Sequence, residues 1–420
     1  MKDAIAPKPH GQKSGCRYCG APLQHTLVDL GMSPLCQTHI TPEQLNHMEP
    51  FYPLHAYVCD QCWLVQLEEF VAPGDIFSEY AYFSSFSDSW VDHARRYAEK
   101  MIDRFGLNET SQVVEIASND GYLLQHFVRR SVPVLGIEPA ANIAKVANEK
   151  GVRSIVRFHG RETAKEVTET YGQADLLLGN NVLAHVPDLN DFVAGMKALL
   201  KPDGVITMEF PHLYRLMEEN QFDTIYHEHF SYFSFIAVQQ VFAGHGLQIF
   251  DVEELPTHGG SLRIYAQHAG FERPVSDAVT ELRERELKEG YDTLERYANF
   301  KNQVEETKRK LLAFLIEAKN QGKKIVGYGA PGKGNTLLNY CGIRTDFLDF
   351  TVDRNDYKQN KFTPGTHIPI LDPEAIREAK PDYILILPWN LKEEIASQVA
   401  YTREWGCKCV VPIPEVTVLD

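Results

Sequence analysis

Short apolar runs punctuate the chain, and from Gln112 onward they alternate with stretches of helical period. Residues 113–117, 134–138, 154–158, 174–180 and 204–210 each carry an apolar run that predicts a buried strand, and 122–130 and 140–150 predict helices between them. Alternating β and α segments predict a parallel, doubly wound sheet whose ligands bind beyond the carboxyl ends of its strands. Residues 247–254 and 261–267 predict two more strands, joined through Thr257, His258, Gly259 and Gly260, that close this sheet as an antiparallel pair. Residues 275–321 then turn charged and helical in pattern, with Leu282, Leu287, Tyr291 and Leu294 on one face. That pattern predicts a solvated connector packed along one stripe. A second α/β unit follows: 324–327 predicts a strand feeding a glycine-rich turn and a helix over 336–341, and 350–353 and 383–387 predict further strands of a small Rossmann-like lobe.

Composition narrows the partners. The chain has 420 residues, 44% of them hydrophobic, enough for several packed domains. A formal net charge of −15 argues against nucleic acid, whose binding is dominated by phosphate neutralisation with Lys and Arg. No apolar run approaches the roughly 20 residues of a membrane span. Residues 1–14 are polar and contain proline, without the apolar stretch of a signal peptide, and predict a mobile tail on a cytoplasmic protein.

The 8 cysteines include two Cys-x-x-Cys pairs, Cys16 with Cys19 and Cys59 with Cys62, around a strand candidate at 55–58. Two such knuckles bring four thiolates to one tetrahedral zinc ion, and four sulfur ligands leave no open position, so the metal is expected to be structural. Cys36 lies between the pairs and is not expected to be a ligand. Cys341, Cys407 and Cys409 read as ordinary thiols.

The turn over 115–121, E-I-A-S-N-D-G, has one glycine and is not the dinucleotide G-x-G-x-x-G fingerprint. It resembles the first motif of class I methyltransferases, in which such a loop passes the methionine part of S-adenosylmethionine. Glu115, Ala117, Asn119 and Gly121 are therefore expected at the cofactor. Glu138 ends the next strand, where an acid accepts the ribose hydroxyls, and Asn180 and Asn181 end the fourth strand above the same crevice. His185 follows just above the sheet. After the fifth strand Tyr226, His227, Glu228 and His229 crowd four positions. Removing a proton beside a carbonyl needs a base poised near neutral pH and a donor for the enolate oxygen, and His and Tyr supply both. A neighbouring carboxylate can fix the imidazole tautomer. Catalytic metal binding lacks the H-E-x-x-H spacing, and alternation turns His227 toward packing.

The combined pattern resembles the zinc-containing bacterial sugar C-methyltransferases, such as the nucleotide-linked 4-keto-sugar C-3′-methyltransferases. The matching pieces are the two cysteine pairs, Tyr80 with Tyr82, the 115–121 turn, 181–187, 226–230, 258–260, 327–330, 358–360 with 363–369, and Trp389 with Asn390; Gly332 and Gly334 around Lys333 are where this chain departs from the pattern. The resemblance implies a zinc-binding module over 1–75, a doubly wound class I methyltransferase domain over 76–270, and linker helices with a C-terminal Rossmann-like α/β lobe over 271–420. It implies structural zinc, S-adenosylmethionine, and a nucleotide-sugar, dTDP- or otherwise NDP-linked, between the last two lobes. His229 becomes the general base, with Tyr226, Glu228, His185 and Tyr80 around the sugar. Tyr82, Asn181, His258, Lys333, Lys358, Trp389 and Asn390 become substrate contacts, the two lysines facing a pyrophosphate. Alternatives are methylation of oxygen or of another small ketone, and a zinc-stabilised binding protein without turnover. ATP hydrolysis is not expected, because Asn335 breaks the P-loop pattern.

Overall fold

The structure of the protein is a computed structural model that describes residues 15–72, 74 and 83–419; the N-terminal tail, Tyr80 and Tyr82 lie outside the described residues. The first sheet is antiparallel, built from β1 (His25–Ser33), β2 (Tyr52–Val58) and β3 (Val65–Leu67). Along β2 the residues Leu54, Ala56 and Val58 are buried in alternation, as one covered face requires.

The central sheet is the expected doubly wound one. β4 (Val113–Ile116), β5 (Val134–Ile137), β6 (Ser154–Ile155), β7 (Ala174–Asn180) and β8 (Leu200–Pro211) run parallel. All four residues of β4 are buried, which is why its apolar run shows no alternation. The short β9 (Ser231–Tyr232) leaves this domain to pair with β3, stitching the two sheets together. β10 (Leu247–Leu255) and β11 (Ser261–His268) then close the central sheet, β11 antiparallel to both β10 and β8, giving the order β6-β5-β4-β7-β8-β11-β10. The expected strand at 154–158 stops at Ile155. It lies on the sheet edge, and Phe158 turns out half exposed over the cavity described below.

The connector differs from the expected solvated stripe. It forms helices Asp277–Lys288, Leu294–Ala298 and Phe300–Asn320, broken near Gly290. It is more deeply packed, because Glu286 is fully buried and accepts the backbone N–H groups of Phe235 (2.8 Å) and Ile236 (2.9 Å) and a bond from His212 Nε2 (2.7 Å). Its carboxylate thereby occupies the positive N-terminus of helix Phe235–Gly244. Tyr291, Tyr297, Phe300 and Val304 are buried alongside.

The C-terminal lobe holds β12 (Ile325–Tyr328), β13 (Thr351–Val352), β14 (Lys361–Phe362), β15 (Pro369–Leu371), β16 (Tyr383–Ile386), β17 (Lys408–Val411) and β18 (Thr417–Val418), ordered β14-β15-β13-β12-β16-β17-β18. Helix Gly332–Cys341 follows β12 through the glycine-rich turn. The lobe reaches back to both others: Asn335 Nδ2 donates to the Cys36 carbonyl (2.6 Å), and Thr336 Oγ1 to the Ile225 carbonyl (3.0 Å). His367 Nε2 pairs with Glu49 at 3.0 Å.

Candidate active site and zinc centre

Cys16 and Cys62 bring their sulfurs to 3.5 Å, Cys19 and Cys59 do the same, and all four lie within 4.8 Å of one another. A tetrahedral zinc with Zn–S near ~2.3 Å separates its sulfurs by roughly 3.8 Å, so the four thiols fit that ion. The knuckles are built alike: Gly20 N donates to the Cys16 carbonyl and Trp63 N to the Cys59 carbonyl, each at 2.9 Å. Gln66 Nε2 donates to Cys16 Sγ (3.1 Å) as an outer partner. Cys36 stays outside, donating to Glu228 Oε1 at 3.4 Å. Arg17, between the first two ligands, donates to the Pro187 carbonyl (2.7 Å) and the Leu67 carbonyl (2.5 Å) and lies over the Phe230 ring at 5.5 Å. The zinc module thus grips the residues that follow His185 and His229.

Beyond the carboxyl ends of β4, β5 and β7 opens a cavity of about 490 Å³. Ala117, Asn119, Glu138, Asn180, Asn181 and His185, six of the residues chosen from sequence, line it. Ala117 and Asn119 hold positive φ (55° and 49°), which bends the loop across the strand ends. Gly121 is a necessity: φ is +77° and a Cβ would meet the Val152 side chain at 2.9 Å. Glu138 accepts the backbone N–H groups of Asn119 and Ala140, both at 2.9 Å, which fixes its carboxylate at the end of β5. Burial raises its pKa, only partly offset by those two bonds. Glu115 does not reach the cavity wall. It is fully buried beneath the loop, both oxygens lack a hydrogen-bond partner among the described residues, and burial with Glu138 and Asp120 nearby pushes its pKa well above the usual range. Trp90 and Phe158 also line the cavity; nothing in their sequence neighbourhoods marked them.

The histidines converge at the rim of this cavity. His185 lies in the turn after β7, and its ring meets His229 edge-on at 4.7 Å. Phe230 N donates to the Ala184 carbonyl (2.7 Å), locking the two loops together. His229 Nδ1 lies 2.9 Å from the Thr224 carbonyl. A carbonyl only accepts, so Nδ1 carries the proton and Nε2 keeps its lone pair. Burial holds His229 well below the ordinary imidazole pKa, with His185, His258 and Lys333 acting in the same direction; burial brings His185 to about 4. The Tyr226 ring lies against His229, tilted by 34°, with ring centroids 4.0 Å apart. Glu228, expected to orient the imidazole, takes its bond from Cys36 instead, and the Thr224 carbonyl does the orienting. His227 packs as alternation predicts, with Nε2 at 3.1 Å from the Pro53 carbonyl.

Across from this cluster stands the C-terminal lobe. His258 Nε2 lies 2.8 Å from Asn181 Nδ2. Lys333 is half-buried, bonds Asn390 Oδ1 at 2.9 Å and sits 4.4 Å from the Trp389 ring centroid. Burial lowers its pKa, opposed by Asp223. Trp389 donates its indole N–H to Asp223 Oδ2 (2.8 Å), and burial pushes that carboxyl up to about 7. Lys358 is tied elsewhere, to the Ala330 carbonyl (3.0 Å) and Asp353 (3.5 Å).

A doubly wound sheet with an acid fixed at the end of its second strand, a cavity beyond the strand ends and a four-cysteine module define a zinc-containing, S-adenosylmethionine-dependent methyltransferase. Family models match in three stretches: "Putative zinc binding domain" over 16–77, "Methyltransferase domain" over 90–252 and "C-methyltransferase C-terminal domain" over 256–414. The chain is 36% identical to C-methyltransferase NovU of Streptomyces niveus over 420 residues, all of this chain and 99% of that protein. A ubiquinone biosynthesis O-methyltransferase of Rhodopseudomonas palustris strain BisA53 is 25% identical over 152 residues, 31% of this chain and 60% of its own. A solved S-adenosylmethionine-dependent methyltransferase from Clostridium acetobutylicum ATCC 824 aligns at 11% identity and a TM-score of 0.35, over 43% of this chain and 92% of its own. The chain belongs to the C-methyltransferase family. It is an enzyme that uses S-adenosylmethionine to methylate carbon, which sets aside the reading of a binding protein without turnover. Among the described residues no helix is long and apolar enough to cross a membrane.

Proposed function

We propose that the enzyme methylates C-3′, the carbon beside the ketone, of a nucleotide-linked 4-keto-deoxysugar, through an enolate formed by His229. The observation that carries this reading is a buried, neutral imidazole whose Nδ1 is committed to Thr224 and whose ring touches His185 on the cofactor cavity wall. S-adenosylmethionine, when bound, supplies an electrophilic sulfonium methyl. His229 Nε2 takes the proton from the carbon beside the ketone, and Tyr226 donates to the oxygen on which charge develops, while His185 stands beside them with its own N–H given to the Glu228 carbonyl. Glu228 and Tyr80 complete the wall around the sugar. Asn181, His258 and Tyr82 hold its hydroxyls, while Lys333, Trp389 and Asn390 hold the nucleotide; Lys358, committed to the Ala330 carbonyl and Asp353, stays out of that contact. The half-buried Lys333 ammonium supports an anionic ligand in this cleft, because a charge partly desolvated there gains from a partner of opposite sign.

Exchange of the acceptor α-proton with solvent deuterium, followed by NMR without cofactor, tests the enolate. Exchange is expected from the wild-type protein; methyl transfer with no exchange under any condition contradicts it and favours an oxygen acceptor. The pH profile follows from the same imidazole. A general base works only unprotonated, so the acid limb of kcat/KM is expected to fall below 6.5, the ordinary imidazole value, because burial lowers this pKa. A limb at pH 7 or above would assign the base elsewhere. At the cofactor, Glu138→Ala removes the proposed ribose acceptor. By the ~1.5–3 kcal/mol of a hydrogen bond to a charged group, it is expected to weaken S-adenosylmethionine binding about 10–100-fold in calorimetry. An unchanged Kd would remove Glu138 from the adenosine site.

A further inference from the structure

Glu209 lies near the carboxyl end of β8 with its side chain fully buried. Thr257 Oγ1 donates to Oε1 at 2.9 Å, His93 Nε2 lies 3.0 Å from both oxygens, and Arg263 Nη2 donates to Oε2 at 2.5 Å. Burial alone raises this carboxyl, but the His93 bond and the Arg263 charge outweigh it and bring it down to about 2, so the group stays ionised. A buried carboxylate with three donors is rigid, since moving any one of them strands a charge.

What those donors carry gives the network its meaning. Thr257 precedes His258, whose backbone sits at φ 55°, a strained conformation for a residue with a side chain. Gly259 after it packs where a Cβ would meet Trp389 at 2.6 Å. His93 stacks on Trp90 at 5.0 Å, and Trp90 meets His258 edge-on, also at 5.0 Å. Asn181 N donates to the backbone carbonyl of Glu209 (2.7 Å), and Asn181 Nδ2 bonds His258 Nε2. Trp90 and Asn181 line the cofactor cavity. We infer that Glu209 is a positioning residue that fixes Trp90, Asn181 and His258 as one wall between the cofactor cavity and the acceptor cleft, acting through Thr257 and His93. The inference rests on the proposed reading that Asn181 and His258 face the acceptor.

Thr257→Val removes the hydroxyl while keeping shape and leaves the Glu209–Arg263 pair intact; Thr257→Ser keeps the hydroxyl. With a 4-keto nucleotide-sugar as acceptor, Thr257→Val is expected to raise the acceptor KM on the order of tenfold, with kcat within about twofold of wild type and Thr257→Ser restoring KM. In its crystal structure the His258 ring is expected to leave Asn181. His93→Phe keeps a ring on Trp90 but removes the second donor, and is expected to weaken cofactor binding in calorimetry by a similar factor. An unchanged KM with His258 still bonded to Asn181, or a lowered melting temperature as the sole effect, overturns the inference. If the wild-type enzyme turns over no keto-sugar, the proposed substrate fails, and the His258 position in the Thr257→Val crystal still decides the role of Glu209.

Discussion

Replacing His229 with asparagine is expected to lower kcat for carbon methylation by on the order of 10²–10⁴-fold, the usual contribution of a positioned base. Cofactor affinity and the unfolding midpoint are expected to stay near wild type. The side-chain amide of asparagine can still donate to the Thr224 carbonyl, which takes a 2.9 Å bond from the imidazole. It offers no lone pair basic enough to remove a proton. His229 does not itself line the cofactor cavity, so adenosine binding is expected to survive. Steady-state kinetics with calorimetric titration of S-adenosylmethionine check all three quantities. The Tyr226→Phe variant separates base from donor: losing a donor to the enolate oxygen is expected to cost less than losing the base. A fully active His229→Asn enzyme would leave the proposed chemistry without its proton acceptor.

Removing zinc is expected to abolish activity and to lower the unfolding midpoint by many degrees. Structural zinc in small modules is worth about 10–16 kcal/mol of folding free energy at neutral pH. Here packing shares the load, because Leu23 and Leu64 of the module join the core that holds Phe235, Val238 and Phe242. Activity is more sensitive than the fold. Without the metal the first knuckle loosens, and with it Arg17, whose guanidinium ties the Pro187 carbonyl and covers Phe230. Both anchors adjoin the proposed catalytic loops. Metal analysis should find one zinc per chain, and strong chelation should eliminate methyl transfer before the far-ultraviolet circular dichroism of the central domain changes. Arg17→Ala retains the four thiols and is expected to lose activity while keeping its zinc. A stripped protein of unaltered midpoint and activity would contradict a structural metal.

The sheets were legible where the chain is buried on both sides. β4, β5 and β7 are short runs in which Val, Leu and Ile dominate, and the loop and acid that end β4 and β5 announced a cofactor crevice. The four zinc ligands were equally plain, since their spacing is itself the chemistry. The missed elements are those that tertiary pairing creates: β9 is two residues long and exists because β3 lies beside it. The connector misled because its charged residues dominate the pattern, while Glu286, one carboxylate among many, is the one buried on backbone N–H groups. At the site, Glu228 and His229 were both visible, but which of them a carbonyl orients depends on Thr224, five residues before the histidine. Glu209, His93 and Trp90 carry no motif. They meet only after β8 and helix Asp88–Phe105 pack together, so no spacing in the chain foretold them.

The most direct measurement of the proposed chemistry uses S-adenosylmethionine labelled with ¹³C in its methyl group and a thymidine-diphosphate 4-keto-6-deoxy sugar, with the product read by carbon NMR. The labelled methyl is expected to couple to the ring carbon adjacent to the ketone. A label attached to oxygen, or no transfer to any keto-sugar offered, would contradict it.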